Sequence, residues 1–251
     1  DSDGRIEIRL FPNGQLGSDT DLLNQVRSGA VEMYVVGGLI ASSVVPAAAL
    51  DGVGFAFKDS ATVLKGMDGA LGAYIRAALM KQANLYAPAT IWDYGFRQIT
   101  SSVRPIKVVD NLAGMKIRVP GADAYVDLFK ALGAAPTSLA FNELYPALQT
   151  KIVDGQENPL PTIQSNKFFE VQKHLILTGH VITPRLVVVN EAAWQALDVR
   201  SRDALSSAIA AAGKAQDDDI LGQEKKLVDT FRSGGMNVIE PDVESFRKPV
   251  L

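Results

Sequence analysis

The sequence predicts an α/β fold of two lobes, each a mainly parallel sheet flanked by helices, with one long helix bridging the lobes. Two observations predict it: strand and helix patterns alternate along the chain, and one late helical segment is very long. Ile6, Ile8 and Leu10 alternate with polar residues, residues 18–29 carry helix start and stop signals, and residues 31–36 form an apolar strand pattern. Strand, helix and strand at this spacing predict a βαβ unit with a parallel strand pair.

The same alternation continues through the rest of the chain. A helical pattern covers residues 61–85, and a helix with Tyr125 and Leu132 is followed by a short one at residues 142–148. Extended segments are predicted at residues 86–92, 97–101, 115–119 and 185–190 and around Val153 and Leu175.

Residues 201–231 have helical propensity nearly throughout, with an apolar stripe that includes Leu205, Ile209 and Phe231. A helix of this length spans roughly 45 Å, which is more than one domain of this size needs. We therefore predict that it bridges the lobes. The division that follows assigns residues 1–95 and about 184–222 to one lobe, and about 96–183 and about 223–251 to the other.

Composition removes several classes of protein. The 251 residues include 25 Lys and Arg against 28 Asp and Glu, a net charge of −3 without a basic block, which disfavours nucleic-acid binding. The absence of Cys excludes disulfides, thiolate nucleophiles and Cys-ligated metals. The most apolar window, residues 37–57, is interrupted by polar residues, so the chain is not expected to be embedded in a membrane.

Catalytic signatures are missing from the sequence. There is no GxGxxG, GxxxxGK[ST], GxSxG or HExxH motif. His174 and His180 have no carboxylate at metal-ligand spacing, so structural histidines are favoured over catalytic ones. Consecutive Asp217, Asp218 and Asp219 would point about 100° apart on a helix and could not converge on one ion. The missing signatures remove the common nucleotide-binding, hydrolase and zinc-protease classes but do not decide against every enzyme, and we expect no metal and no cofactor.

Two arginines occur where charge is normally excluded. Arg97 in DYGFRQITSS and Arg118 in GMKIRVPG each interrupt an apolar extended segment and therefore need a partner. On position alone, an internal ion pair and an anion site are equally favoured. A guanidinium offers a planar fork that matches a carboxylate, and the DGQENP turn at residues 154–159 lies where open α/β sheets bind ligands.

Several segments together resemble one family along nearly the whole chain: FPNGQLG, RSGAVEM, LAGMKIRVPG, ALGAAPTSLAFNELYPALQTKIVDGQENP and FFEVQKHLILTGHVITP. They are similar to the solute-binding proteins of tripartite ATP-independent periplasmic (TRAP) transporters of the DctP type. The resemblance implies a two-lobed, periplasmic-binding-protein-like (Venus-flytrap) fold that closes on an organic acid. It also implies a bacterial periplasmic location, TRAP membrane subunits as partners, and a receptor, expected to be monomeric, rather than an enzyme.

The resemblance also assigns ligand-binding residues. Arg118 corresponds to the arginine that forms the principal salt bridge with the ligand carboxylate, and Arg97 to a second arginine at the ligand. Asn158 corresponds to an amide from the other face of the cleft, and Phe141 to a residue that packs over the ligand. Gly38, with Leu39, lies where the family often places polar contacts that these residues cannot supply.

Further candidates come from residue type. Polar groups at Gln98, Asp93, Gln156 and Asn158 favour a sugar acid, such as a uronate or an aldonate, as the ligand. Trp194 is also a candidate lining residue; for Trp194, as for Phe168, core packing is the favoured alternative.

Family members usually begin with a further strand and helix, and their end is longer than PVL; either the printed sequence is incomplete or those elements are absent.

Two other classes of function stay open at this point. An enzyme acting on an acidic substrate, such as a lyase, would need an acid–base pair near Arg118, for which Glu157 and Tyr145 are the candidates. A receptor for amino acids or sugars that serves an ATP-driven transporter would need an acidic group for an ammonium, or aromatic platforms for a sugar. The chain has only two tryptophans, which disfavours the sugar receptor.

Overall fold

The computed structural model describes residues 2–250, which form two β-sheets surrounded by helices. The strands are β1 (Met33–Gly37), β2 (Leu85–Tyr86), β3 (Ile91–Trp92), β4 (Phe96–Ser101), β5 (Lys116–Val119), β6 (Ala135–Ser138), β7 (Gly155–Pro159), β8 (His174–Ile182), β9 (Arg185–Asn190) and β10 (Asn237–Ile239). The helices are α1 (Asp19–Ser28), α2 (Gly38–Ala41), α3 (Ser60–Asp68), α4 (Ala70–Ala83), α5 (Asp123–Ala131), α6 (Leu144–Gln149), α7 (Leu160–Ser165), α8 (Glu191–Ala196), α9 (Val199–Ser233) and α10 (Val243–Arg247). The alternation of strands and helices confirms the predicted α/β class.

The first sheet is built around β9, which pairs with β1, β2 and β3, in every case antiparallel. The prediction of a mainly parallel sheet is therefore wrong for this sheet. The physical reason is that β9 follows β8 of the second sheet after only Thr183 and Pro184. A strand that enters from another sheet makes no crossover connection, so nothing requires it to run parallel to its neighbours.

The second sheet is mixed, with strand order β10-β8-β4-β7-β5-β6. The pairs β10–β8, β7–β5 and β5–β6 are parallel, and β4 runs antiparallel to both of its neighbours. The pairing of β4 with β8 shifts register between Arg97 and Ile99. Such an irregularity redirects the side chains beside it, here at one of the predicted site residues.

The predicted βαβ unit at the start of the chain does not form. Residues 6–10 alternate as a strand should, but they are not part of either sheet, and Leu10 is 81% exposed. An alternating segment becomes a strand only where another strand supplies hydrogen-bond partners, and none of residues 2–250 does so for this segment.

Helix α1 follows its sequence signals closely. Ser18 is the N-cap and forms a capping box with Asp21, and Gly29 ends the helix with φ of 80°, a left-handed conformation that glycine adopts without strain. The helix predicted over residues 61–85 is instead divided at Gly69, whose ψ of −149° is not helical, into α3 and α4.

The long helix is confirmed as α9, with 35 residues and a length of about 52 Å. Near its start, Leu205 and Ile209 pack in an apolar cluster with Val187 of the first sheet. Near its end, Leu227 and Phe231 belong to a different cluster that is built on the second sheet. The helix therefore joins the two sheets. The residue ranges predicted for the two lobes stay a prediction.

Within residues 2–250, no helix, α9 included, is both long enough and apolar enough to cross a membrane.

Candidate functional site

Arg118 lies in the second sheet, on the strand next to the edge strand β6. It lies on β5, opposite Gln156 of β7 on one side and Thr137 of β6 on the other. Only 1% of its surface is exposed. Its Nε and Nη2 atoms both donate to the carbonyl oxygen of Leu139, at 3.0 and 2.7 Å. These two bonds fix the plane of the guanidinium, while Nη1 has no acceptor among residues 2–250.

The charge of Arg118 is not neutralised by a neighbour. No carboxylate of residues 2–250 lies within 4 Å of its guanidinium. Burial lowers the pKa of Arg118 to about 10, and the more distant Glu157 offsets this only in part. The side chain is still cationic at neutral pH. A buried cation that has free N–H donors and no counter-ion is suited to bind an anion.

Phe141 lies beside this guanidinium. It begins the short 3-10 helix Phe141–Glu143 that follows β6. The ring centroid is 5.8 Å from Arg118 Cζ and 6.0 Å from the centroid of Phe168, which it meets edge to face. Phe168 is fully buried in the adjacent apolar cluster, and its packing against Phe141 holds that ring in place.

Arg97 is paired, in contrast to Arg118. Its Nε and Nη2 atoms donate to the carboxylate of Glu157, the Nη2–Oε1 distance being 2.8 Å, and Nη2 also donates to the Glu157 carbonyl oxygen at 2.8 Å. His180 Nε2 lies 3.1 Å from the same carboxylate. Glu157 and His180 are fully buried, and Arg97 is 2% exposed. Of the two possibilities open for Arg97 on position alone, the structure shows the internal ion pair.

The ionisation of this pair follows from its geometry. Burial by itself raises the pKa of Glu157, but the Arg97 guanidinium and the His180 hydrogen bond outweigh it, so the pKa is lowered. Burial by itself lowers the pKa of Arg97, and the Glu157 carboxylate reverses this, so the pKa is raised. Both groups are charged at neutral pH.

The amides of Asn158 and Gln156 are held inside the second sheet. Asn158 Oδ1 accepts from Arg97 Nη2 at 3.1 Å, and its Nδ2 donates to Gln156 Oε1 at 2.6 Å. Gln156 Nε2 donates in turn to Thr100 Oγ1 at 3.0 Å. The structure therefore places Asn158 beside Arg97, and it places Gln156 opposite Arg118 in the sheet, within a chain of internal hydrogen bonds.

Trp194 and Asp93, two of the other predicted site residues, lie outside this group. Trp194 stacks on Tyr86 with ring centroids 4.1 Å apart, in the apolar cluster under α9, so its role here is core packing and not pocket lining. The Asp93 carboxylate caps its own turn by accepting from the Gly95 amide at 2.9 Å.

Gly38, the remaining predicted site residue, is buried. It begins α2 directly after β1. It brings no side chain to the site.

Sequence reasoning missed Arg185, and it missed the contacts that Glu157 makes with Arg97 and His180. Glu157 and His180 were considered without reference to Arg97, although an acidic residue in the wholly buried strand β7 signals an internal partner. Arg185 begins β9, and its guanidinium lies over the ring of Tyr94, with Cζ 3.9 Å from the centroid. Burial by itself lowers the pKa of Arg185, but the nearby phenols reverse this, and the pKa is raised.

A groove of about 710 Å³ lies elsewhere, between the loop at Phe55–Lys58 and helices α9 and α10. Phe96 and Gln98 line it, and neighbouring strand residues point to opposite faces of a sheet, so this groove is on the reverse side from Arg97. None of Arg97, Arg118 and Arg185 lines it. Gln98 Oε1 accepts from the Gly179 amide at 2.8 Å.

The described residues show no arrangement of three or more His, Asp and Glu side chains that could hold a metal ion. The candidate site consists of arginines and amides on β4, β5, β7 and β9, with the aromatic rings that contact them.

The family model of the bacterial extracellular solute-binding proteins, family 7 (DctP), matches residues 1–250. The chain belongs to this family. It is 37% identical over 248 residues to the sialic acid-binding periplasmic protein SiaP of Vibrio cholerae. This alignment covers 98% of this chain and 76% of that protein. It is 34% identical over 236 residues to the 2,3-diketo-L-gulonate-binding periplasmic protein YiaO of Escherichia coli, covering 94% and 71%.

Solved structures agree with this assignment. A TRAP periplasmic solute-binding protein of Roseobacter denitrificans with bound L-galactonate superposes with a TM-score of 0.93 at 34% identity, covering 99% of this chain and 82% of the other. One from Sulfitobacter sp. NAS-14.1 with bound β-D-galacturonate superposes with a TM-score of 0.95 at 29% identity, covering 100% and 83%. The two-lobed fold of TRAP solute-binding proteins is thereby confirmed, and the family consists of receptors for solutes.

Proposed function

We propose that this protein is a periplasmic receptor that binds a sugar acid, a uronate or an aldonate, and delivers it to TRAP membrane subunits without altering it chemically. The observation that carries the proposal is Arg118, a buried cation with a free donor edge and no carboxylate within 4 Å. A ligand carboxylate supplies the missing charge, and Phe141 packs over the ligand beside it.

Relatives support the ligand class. Related structures hold L-galactonate and β-D-galacturonate, which share one carboxylate on a polyhydroxylated carbon chain. An enzyme acting on an acid is less well supported, because Glu157 is locked by Arg97 and His180 and cannot serve as a free base near Arg118. Ligand recovered unchanged after prolonged incubation with the protein would agree with a receptor, whereas a new product would contradict it.

The proposal is tested by thermal denaturation with a matched pair of sugars. D-Galacturonate and D-galactose differ at C6, where the first has a carboxylate and the second a hydroxymethyl group. A ligand present at 100 times its dissociation constant stabilises the native state by about 2.7 kcal/mol. We expect galacturonate, L-galactonate or D-glucuronate to raise the melting temperature and galactose to leave it unchanged. An equal shift with galactose, or no shift with any acid, would contradict the proposal.

Asn158 is expected to contribute less to binding than Arg118. Its amide is already bonded to Arg97 and Gln156, and a neutral hydrogen bond exchanges nearly evenly with water. Asn158→Ala should therefore weaken binding by about 0.5–1.5 kcal/mol, measured by calorimetry with galacturonate. The exposed Asn24→Ala serves as the control. The assigned order of roles is wrong if Asn158→Ala weakens binding more than Arg118→Ala.

Closure of the two lobes around the ligand is the second expected property of this receptor. A carboxylate in contact with Arg118 in an open cleft would stay in water, where the Coulomb energy at 4 Å is only about 1 kcal/mol, and excluding solvent raises it several-fold. Rotation about the segments near residues 94–96 and 184–185 and about α9 would achieve this. We expect a smaller radius of gyration by small-angle scattering with saturating ligand. An identical radius in both states, with binding confirmed in the sample, contradicts closure.

A further inference from the structure

Arg185 is a second cation without an acidic partner. No carboxylate of residues 2–250 lies within 4 Å of its guanidinium, and the residue retains contact with solvent. We propose that Arg185 is a specificity-determining ligand contact, which donates to neutral oxygen atoms of a sugar acid whose carboxylate is held by Arg118. This inference rests on the proposed function and deepens it: the ligand is a polyhydroxylated acid with a single carboxylate.

Space for the Arg185 guanidinium is created by Gly37. The two residues face each other across the antiparallel pair β1–β9. Arg185 Nη1 lies 2.7 Å from the position that a Cβ atom would occupy on Gly37, closer than any real Cβ contact. Gly38 follows directly and also lacks a side chain. The guanidinium therefore occupies room that any larger residue at position 37 would take.

The orientation of Arg185 is set by Tyr94. The guanidinium stacks on the phenol ring, and the hydroxyl of that ring accepts from Thr162 Oγ1 at 2.9 Å, which holds it in place. A stacked guanidinium donates in its own plane, because its faces are covered and its N–H groups point outward from the edge. Arg185 has donors only, so whatever it binds must be an acceptor.

Arg185 and Arg118 share their surroundings. Tyr125 interacts electrostatically with both of them. Asp19 interacts with Arg118 and accepts from the hydroxyl of Tyr34 at 2.8 Å, and Tyr34 interacts with Arg185. Geometry connects Arg185 and Arg118 as well. Tyr94, on which Arg185 stacks, accepts from Thr162 of α7. Helix α7 continues directly from β7, which pairs with β5 beside Arg118. These contacts place both cations at one cleft.

The charges in this cleft decide the kind of oxygen that Arg185 binds. Arg97 and Glu157 neutralise each other, so the uncompensated groups are Arg118, Arg185 and Asp19. Two cations and one carboxylate leave a single positive charge, which one ligand carboxylate balances. A second carboxylate would leave an excess negative charge in a site of low dielectric constant. Arg185 is therefore matched to hydroxyl, ring or carbonyl oxygens.

The test uses acids that differ only away from the carboxylate, measured by calorimetry or competition. D-Galacturonate has oxygens along six carbons, D-glycerate is a short acid, and galactarate has a second carboxylate. We expect Arg185→Met to weaken galacturonate binding ten-fold or more and glycerate binding less than two-fold. Arg232→Met, at an exposed position late in α9, should change neither. We expect galactarate to bind the unaltered protein no more tightly than galacturonate.

Gly37→Ala provides a second variant that keeps Arg185 itself. Gly37 has φ of −82° and ψ of 148°, which alanine adopts without strain, and the displaced atom is the end of a flexible side chain. The fold should persist while the guanidinium moves, so galacturonate should again bind more weakly and glycerate should not. The inference is overturned if both variants bind galacturonate as the unaltered protein does, if they lose both acids equally, or if galactarate binds ten-fold more tightly than galacturonate. Absence of binding by any acid would instead contradict the proposed function.

Discussion

Replacement of Arg118 by lysine is expected to weaken sugar-acid binding by one or more powers of ten. Lysine keeps the positive charge but lacks the planar fork, and it cannot both donate twice to the Leu139 carbonyl oxygen and present a fixed edge to a carboxylate. The loss corresponds to about 1.5–3 kcal/mol, the contribution of a hydrogen bond to a charged group. Arg118→Ala should abolish binding.

The matched control for Arg118 is Lys116→Ala on the same strand, whose side chain is exposed and should leave binding unchanged. Calorimetry with galacturonate measures both. Because the ligand-free protein leaves Arg118 buried and unpaired, Arg118→Met should also raise the melting temperature of the empty protein while removing ligand binding. Unaltered affinity in Arg118→Lys and Arg118→Ala would refute the role assigned to this residue.

Local signals in the sequence predicted local structure well. The capping residues of α1, the periodicity of α9 and the apolar runs of β5 and β9 are properties of short segments, and each element forms within a few residues of its predicted bounds. Arg118 could be selected because a charge within a buried strand is itself a local anomaly.

Pairing between distant segments could not be predicted in the same way. The residues at 6–10 have a strand pattern without a partner strand, and β9 joins a sheet that its own sequence does not specify. Arg97 meets Glu157 across 60 residues of chain, so its charge is neutralised by a residue that no spacing rule connects to it. Arg185 was missed because its guanidinium fits only where Gly37, its partner on the neighbouring strand, leaves space by having no side chain.

The second large effect is expected at Glu157, where Glu157→Gln should lower the free energy of unfolding by about 3–5 kcal/mol. The substitution preserves the size of the side chain and removes its charge, leaving Arg97 buried without a counter-ion. The double variant Glu157→Gln, Arg97→Met should regain part of the loss, because it removes the isolated cation as well. Urea denaturation at neutral pH measures all three proteins. A double variant that is less stable than Glu157→Gln alone would contradict this account.

Lowering the pH should remove from the unaltered protein the stabilisation that the ionised Glu157 carboxylate provides. The pKa of Glu157 is lowered in the folded state, while in the unfolded chain it is near the ordinary value of about 4.3. A carboxyl whose folded pKa is lowered stabilises the fold fully above its unfolded pKa, and this stabilisation is lost as the pH falls through the folded value. Glu157→Gln lacks this contribution at every pH. The difference in unfolding free energy between the two proteins should therefore be largest at neutral pH and shrink progressively below about pH 4. A difference that stays constant between pH 7 and pH 3 would show that the ionised Glu157 carboxylate does not stabilise the buried arginine.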